Sequence, residues 1–262
     1  MAAESPILEI DGLVKSYDTG HRAVDGLSLR VPRGSIFGFI GLNGAGKTTT
    51  IRIVAGLLRR DAGAIRLFGR ELDPRDKDMK RDIGVVLDEP LYFEWMSAPE
   101  YLRFVGIMEG LTPPAAAERT DELMHFFDLS EKSNDPIETY STGMKKKVSL
   151  AAAVIHTPKL VILDEPLEGI DALAASAIKD TLTMAAARGT TIFITSHVMD
   201  TVERFCTDIA IVHRGRVVLQ CRTDEIRTRA KGSLSHETFD SLEELFVDTV
   251  SDKAKRRHLS FL

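Results

Sequence analysis

Apolar residues recur along this chain with two different periods, and the succession of periods lays out an architecture. Ile7-Leu8-Glu9-Ile10, Leu27-Ser28-Leu29-Arg30-Val31 and Ala64-Ile65-Arg66-Leu67-Phe68 alternate as half-exposed strands do. Gly12, Gly26, Gly34, Gly63 and Gly69 punctuate these runs and read as turns. Ile36-Phe37-Gly38-Phe39-Ile40 and Leu160-Val161-Ile162-Leu163 are apolar almost throughout, the mark of a parallel strand covered on both faces. Residues 49–58 and 148–155 have helical character. From 98 to 128 the period is again helical, with Tyr101, Leu102, Val105 and Met108 on one face and Leu123, Phe126 and Phe127 on another. Strand and helix then alternate through 159–163, 172–187, 191–195 and 209–212. The pattern predicts an α/β core split by a helical insertion at about residues 90–140, within a domain running from 1 to 221. A polar segment, 222–262, follows with one short helix at 242–250. Its basic stretch, Lys253-Ala254-Lys255-Arg256-Arg257-His258, reads as a disordered tail or a weak contact with anionic lipid.

Composition narrows the picture. With 262 residues, 44% hydrophobic and 28% charged, the chain has an ordinary globular make-up and can bury a substantial core. A formal charge of −5 argues against a general nucleic-acid binder, whose footprint would be basic. No apolar run reaches membrane-spanning length, and Met1-Ala2-Ala3-Glu4-Ser5-Pro6 lacks the form of a secretory signal. Cys206 and Cys221 are too far apart for a C-x-x-C pair and read as small thiols of a reducing compartment. The seven histidines show no metal-ligand spacing.

Chemistry enters between two apolar runs. Gly41-Leu42-Asn43-Gly44-Ala45-Gly46-Lys47-Thr48 is a complete G-x-x-x-x-G-K-[ST] loop, preceded by a strand pattern and followed by a helical one. Its glycines let successive N–H groups point inward, and the helix N-terminus adds a positive dipole end. Lys47 is expected to reach the β/γ-phosphates and Thr48 to ligate Mg²⁺. The nucleotide-binding set is therefore Gly41, Asn43, Gly44, Ala45, Gly46, Lys47, Thr48 and Thr49. A second motif, Leu160-Val161-Ile162-Leu163-Asp164-Glu165, ends a buried strand in two carboxylates. Asp164 suits the Mg²⁺ shell, and Glu165 is placed to polarise an attacking water. A third element, Tyr140-Ser141-Thr142-Gly143-Met144, opens a helix whose N–H groups could hold a phosphate, although alone it would pass for an N-cap. The adjacent Lys145-Lys146-Lys147 reads as a solvated face.

The order of these motifs, continued by Gly169-Ile170-Asp171 and Thr195-Ser196-His197, resembles the nucleotide-binding subunit of ABC transporters from about Ile7 to Gln220. The Tyr-Ser-x-Gly-Met signature and the Asp88-Glu89-Pro90-Leu91-Tyr92 segment look most like ATPases of the type-2 ABC exporters. Ser241-Leu242-Glu243-Glu244-Leu245-Phe246 is similar to their C-terminal element. The resemblance implies a P-loop NTPase fold (RecA-like) with an antiparallel β subdomain and the helical subdomain already inferred. It implies ATP and Mg²⁺, an ATP-sandwich dimer and a separate transmembrane permease. It also implies a place on the cytoplasmic inner face of the membrane. A soluble ABC-type ATPase acting on a protein partner is the alternative.

Roles follow position by position. Tyr17 matches the aromatic that stacks on adenine. Ser141 and Gly143 match residues that face the γ-phosphate of the opposite subunit, and Asp171 matches the acidic residue that communicates across the dimer. His197 matches the switch histidine that contacts the γ-phosphate and orders the attacking water. Phe93, Trp95 and Met96 are candidates for a permease-docking groove, or for burial within the helical insertion. Two departures stand out. Many members of the family carry glutamine where this chain has Asp88, with Glu89 next; a carboxylate there would favour Mg²⁺ more strongly but reach less far. The signature carries Thr142 for the usual glycine and Met144 for the usual glutamine. Because Glu165 and His197 are both present, the resemblance implies a hydrolysing subunit.

Overall fold

In the computed structural model, which describes residues 5–17, 20–88, 92–226 and 242–250, the wholly apolar runs become the middle of one large sheet. Its order is β10-β9-β3-β8-β7-β6. The strands are β3 (Ile36–Ile40), β6 (Ile83–Val86), β7 (Leu160–Leu163), β8 (Thr191–Ser196), β9 (Asp208–His213) and β10 (Arg216–Arg222). All neighbours pair in parallel except β10, which returns antiparallel to β9. Side chains alternate across this sheet with period two. Ile36, Ile40, Val161, Leu163, Ile192, Ile194, Ile209 and Ile211 face one core. Phe37, Phe39, Leu160, Ile162, Phe193, Ala210 and Val212 face the other. The Phe193 ring of β8 lies 5.8 Å from Phe37 and 5.3 Å from Phe39 of β3, joining the two neighbouring strands by aromatic contact. Fully burying one such ring contributes roughly 1.5–3 kcal/mol.

A second, antiparallel sheet, β2-β1-β4-β5, closes over that phenylalanine face. It comprises β1 (Leu8–Ser16), β2 (Arg22–Val31), β4 (Ala62–Leu67) and β5 (Arg70–Glu71). Helix α1 (Lys47–Val54) lies with it, contributing Ile51, Ile53 and Val54 to the same core. The opposite core is covered by α5 (Thr142–Val154), α6 (Ala172–Ala187) and α7 (Met199–Phe205), and by α3 (Ala98–Met108) and α4 (Pro113–Phe126) of the insertion. A short α2 (Lys77–Arg81) precedes β6, and α8 (Leu242–Val250) returns to the core through Leu242 and Phe246.

Several expectations need correction. Gly12 and Gly26 are not turns: both lie inside strands, at φ 59 and 72, where the β1–β2 register shifts. Gly63 likewise sits within β4 at φ 91, and a Cβ there would lie 2.5 Å from the Gly12 carbonyl oxygen. Helix α1 stops at Val54 rather than reaching residue 58, because Gly56 turns left-handed at φ 72. The 98–128 stretch is two helices, separated by Gly110 at φ 97 and by Pro113-Pro114 at the head of α4. Ser97 and Glu100 form a reciprocal capping box that starts α3. Met108 and Phe126, which the helical period places on apolar faces, are 64% and 40% exposed. The strand β10 and the helices α2 and α7 are additional elements. The basic stretch 253–258, the residues of the secretory-signal reading as far as Glu4, and Ser241 lie outside the described residues.

Candidate functional site

Strand order explains why distant motifs meet. In the parallel sheet, β8 lies between β3 and β7, so the loop after β3, the carboxylates after β7 and the histidine after β8 emerge side by side at one C-terminal edge. Leu163 pairs with Ile194, which sets Thr195 beside Asp164. The Thr195 hydroxyl donates to Asp164 Oδ1 at 2.6 Å and accepts the Glu165 N–H at 2.9 Å. One buried threonine therefore fixes both carboxylate residues.

The Glu165 carboxylate is divided between two partners. Its Oε1 lies 3.3 Å from Lys47 Nζ, and its Oε2 lies 3.1 Å from His197 Nδ1. Lys47, only 6% exposed, also donates to the Gly41 carbonyl at 2.7 Å. The loop needs its glycines. Gly44 and Gly46 adopt φ 80 and 104, and a Cβ at Gly46 would lie 2.4 Å from the Ala23 carbonyl oxygen. Gly41 is equally confined, since its Cβ would meet the Val212 oxygen at 2.6 Å. Ala45 is buried and accepts from the Gly215 N–H, so the β9–β10 turn braces the loop. Asn43 and Gly44 are exposed, while Thr48 and Thr49 are partly buried in the first turn of α1. Tyr17, 42% exposed, lies just past β1 with its hydroxyl 3.3 Å from Thr49 Oγ1. The loop thus has an open side with an aromatic ring beside it.

A hard cation fits the donors present. Asp164 Oδ2 is buried without a hydrogen-bond partner among the described residues, although Oδ1 is taken by Thr195. An orphaned carboxylate oxygen at a phosphate loop suits an oxygen-preferring ion such as Mg²⁺. Glu165, Glu168 and His197 also bring ligand atoms within 4.8 Å of one another, but they belong to this same site. Asp88 is exposed just past β6, and Glu89 lies outside the described residues, as do Pro90 and Leu91. Asp88 is near enough to Lys146 to favour its charged form, together with Glu168 and Glu165; burial opposes them more strongly and lowers the lysine pKa.

The signature residues are arranged differently. Ser141 caps α5, accepting from Met144 N at 3.3 Å, and remains exposed. Asp171 caps α6, accepting from Ala174 N at 2.9 Å, and that bond holds its pKa below the usual carboxylate value. The two caps adjoin through Gly143, where a Cβ would sit 3.2 Å from Ala174 Cβ and 3.4 Å from Asp171 Oδ2. The three lysines after the signature are not a solvated face. Lys145 pairs with Glu94 at 3.3 Å, Lys146 donates to the Glu165 and Glu168 carbonyls, and Lys147 donates to the Phe127 carbonyl at 2.9 Å. Tyr92 packs on the same helix, donating to the Lys145 carbonyl at 2.7 Å and bonding Ser149; burial pushes its pKa up to about 12. Thr195, Lys146 and Gly215 had no assigned role in the sequence reading. A threonine ending a buried strand beside Asp164 would have been the available signal for the first.

Similar proteins bear on this arrangement. A family model described as ABC transporter matches residues 24–168. Daunorubicin/doxorubicin resistance ATP-binding protein DrrA of Streptomyces peucetius is 37% identical over 221 residues, covering 84% of this chain and 67% of that protein. Bacitracin transport ATP-binding protein BcrA of Bacillus licheniformis is 32% identical, covering 90% of this chain and 76% of that one. A solved structure of an ATP binding subunit of an ABC transporter superposes with a TM-score of 0.82 at 31% identity, over 93% of this chain and 99% of that one.

Proposed function

The chain belongs to the ABC transporter family as one of its ATP-binding ATPases, and from that premise we propose that it is the hydrolytic subunit of an exporter, driving a separate transmembrane permease. Export is supported by the name of a relative 34% identical to this chain, Nod factor export ATP-binding protein I of Ralstonia nicotianae. Among the described residues no helix is long and apolar enough to cross a membrane, so the reading assigns the membrane-spanning part to another chain. It places this subunit at the cytoplasmic face through that permease. Two features support a docking face beside β6. A cleft of about 390 Å³ is lined by Leu57, Val85, Leu87, Tyr101 and Val105. Beyond it, Phe93, Trp95 and Phe104 are 40%, 73% and 41% exposed and pack on one another, the Phe93 ring 5.1 Å from Trp95 and 5.5 Å from Phe104. Of the two readings of Phe93 and Trp95, this geometry favours the docking surface.

In the proposed mechanism the backbone N–H groups of residues 41–49 cradle the phosphates, and Tyr17 stacks on the base. Lys47 has three donors, one engaged by Gly41 and one directed at Glu165, and turns the remaining charge to the β/γ-phosphates. Mg²⁺, where bound, would be held by Thr48, Asp164 and Asp88, and would neutralise phosphate charge. Glu165 takes a proton from the attacking water, and His197, bonded to the same carboxylate, orients that water towards the γ-phosphate. Ser141 and Gly143 of a second copy complete the site, and Asp171 lies beside them. The observation that carries the reading is the Glu165 carboxylate, shared between Lys47 and His197. Glu165→Gln keeps the shape and removes the base. It should lower ATP turnover about 10²-fold or more while ATP binding persists. Turnover at the wild-type rate would overturn the assignment.

A further inference from the structure

Lys146 lies on α5 five positions after the Ser141 cap, yet its side chain leaves that helix. Its ammonium donates to the Glu168 carbonyl at 2.6 Å and to the Glu165 carbonyl at 3.0 Å. Those oxygens bracket the turn that leaves β7, which is also closed by Glu168 N–H donating to Glu165 O at 3.2 Å. Glu165 heads the turn at φ 47, a left-handed conformation that residues with a side chain seldom adopt. Such a conformation is unfavourable and persists only where the surroundings hold it. Here it is held from both sides. Thr195 Oγ1 takes the Glu165 N–H at 2.9 Å, and Lys146 takes its carbonyl. The backbone angles at this residue aim its carboxylate, whose two oxygens lie between Lys47 and His197. Bonds from a charged donor are roughly twice as strong as neutral ones, and this donor is partly withdrawn from water.

We propose that Lys146 is a positioning residue for the reaction: it locks the Glu165 peptide so that the general base stays aimed, and it ties that aim to the helix whose first turn carries Ser141 and Gly143. The inference rests on the ATPase reading, in which Glu165 is the base. It gives each subunit a direct mechanical link between the surface offered to a partner's nucleotide and the carboxylate acting on its own.

The test uses the full-length chain with Mg-ATP, comparing Lys146→Met, Lys146→Arg and the double variant Lys146→Met/Glu165→Gln, with single-turnover measurement where rates are low. Lys146→Met should lower kcat about tenfold while the affinity for a fluorescent ATP analogue changes less than about twofold. Lys146→Arg, which keeps charged donors, should recover most of the rate. In the Glu165→Gln background Lys146→Met should cause almost no further loss, since an aiming residue has no effect once the base is gone. Where the methionine variant does not accumulate, Lys146→Gln carries the same comparison. An unchanged kcat in Lys146→Met, or an undiminished tenfold loss added to that of Glu165→Gln, would overturn the proposal. Wild-type turnover of Glu165→Gln alone would instead overturn the general-base reading, so the two failures are distinct.

Discussion

Two surfaces carry the motifs of this chain, and they are bonded in opposite ways. Around the phosphate loop, Lys47, Asp164, Glu165, Thr195 and His197 come from three strand ends and are connected across them by hydrogen bonds and an ion pair. On the signature side, Ser141 and Asp171 each bond to the first turn of their own helix, and Ser141 is exposed. The first surface is assembled within one chain. The second is bonded only locally and presented outward, as expected of a surface whose ligand is brought by another molecule. A helix N-terminus with an exposed serine offers unpaired N–H groups to an anion, and the ATP-sandwich reading supplies that anion from a partner subunit.

The comparison can be broken most severely at Ser141. Ser141→Arg introduces a long charged side chain where the partner's γ-phosphate is proposed to sit. Hydrolysis should fall to background while nucleotide affinity of the isolated chain is nearly unchanged, because the loop that binds nucleotide is untouched. Mixing this variant with Lys47→Ala should produce dimers in which one of the two sites has both an intact loop and an intact signature. A marked loss of nucleotide affinity in Ser141→Arg monomers, measured by titration calorimetry, would mean that the signature serves its own loop and that the two surfaces are not separate.

Tyr17 sharpens the loop side. Base–aromatic stacking is worth roughly 1–3 kcal/mol by alanine substitution. Tyr17→Ala should therefore weaken ATP binding by about 5- to 150-fold, with kcat at saturation little altered. Equal affinities of the wild type and the variant would leave the ring as no more than a neighbour of Thr49.

Gly84 tests how the two surfaces are held together. It lies in β6, and a Cβ there would stand 2.1 Å from the Ala153 carbonyl oxygen of α5. The strand that leads to Asp88 and the helix that carries the signature thus touch backbone to backbone. Gly84→Ala must push them apart, and overpacking of this kind costs about 1–3 kcal/mol. A chemical denaturation midpoint equal to that of the wild type would show that α5 moves without penalty.

What the sequence made legible follows from how local each feature is. The phosphate loop lies in one contiguous octet between a strand and a helix, so its residues could be named without knowing the sheet order. The β7 strand was legible because burial on both faces leaves an unbroken apolar run. Gly12 and Gly26 were misread because a positive φ serves a bulge as well as a turn, and only strand pairing distinguishes them. Lys145, Lys146 and Lys147 looked solvated because three successive cations have no common apolar face. In the fold, consecutive helical positions point about 100° apart, and each ammonium finds a different partner. Thr195 and Gly215 act on residues that only the sheet order and the loop packing bring near them.

The smallest expected effect concerns Asp88, which acts electrostatically on Lys146 of the signature helix. Its carboxylate is exposed, and its charge favours the protonated lysine that also holds the Glu165 turn. If that charge also acts on Mg²⁺, Asp88→Asn should raise the Mg²⁺ concentration for half-maximal hydrolysis a few-fold, since an amide oxygen is a weaker ligand for a hard cation. The size is modest because Asp164 brings a buried oxygen that has no hydrogen-bond partner among the described residues, and an exposed charge is screened by solvent. Raising the salt concentration should shrink the difference between wild type and variant, whereas direct ligation would leave most of it. A metal titration unchanged by Asp88→Asn, together with a lowered kcat, would assign Asp88 to Lys146 instead of to the cation. The carboxylate would then belong to the signature side of the comparison, steadying the lysine that aims the base.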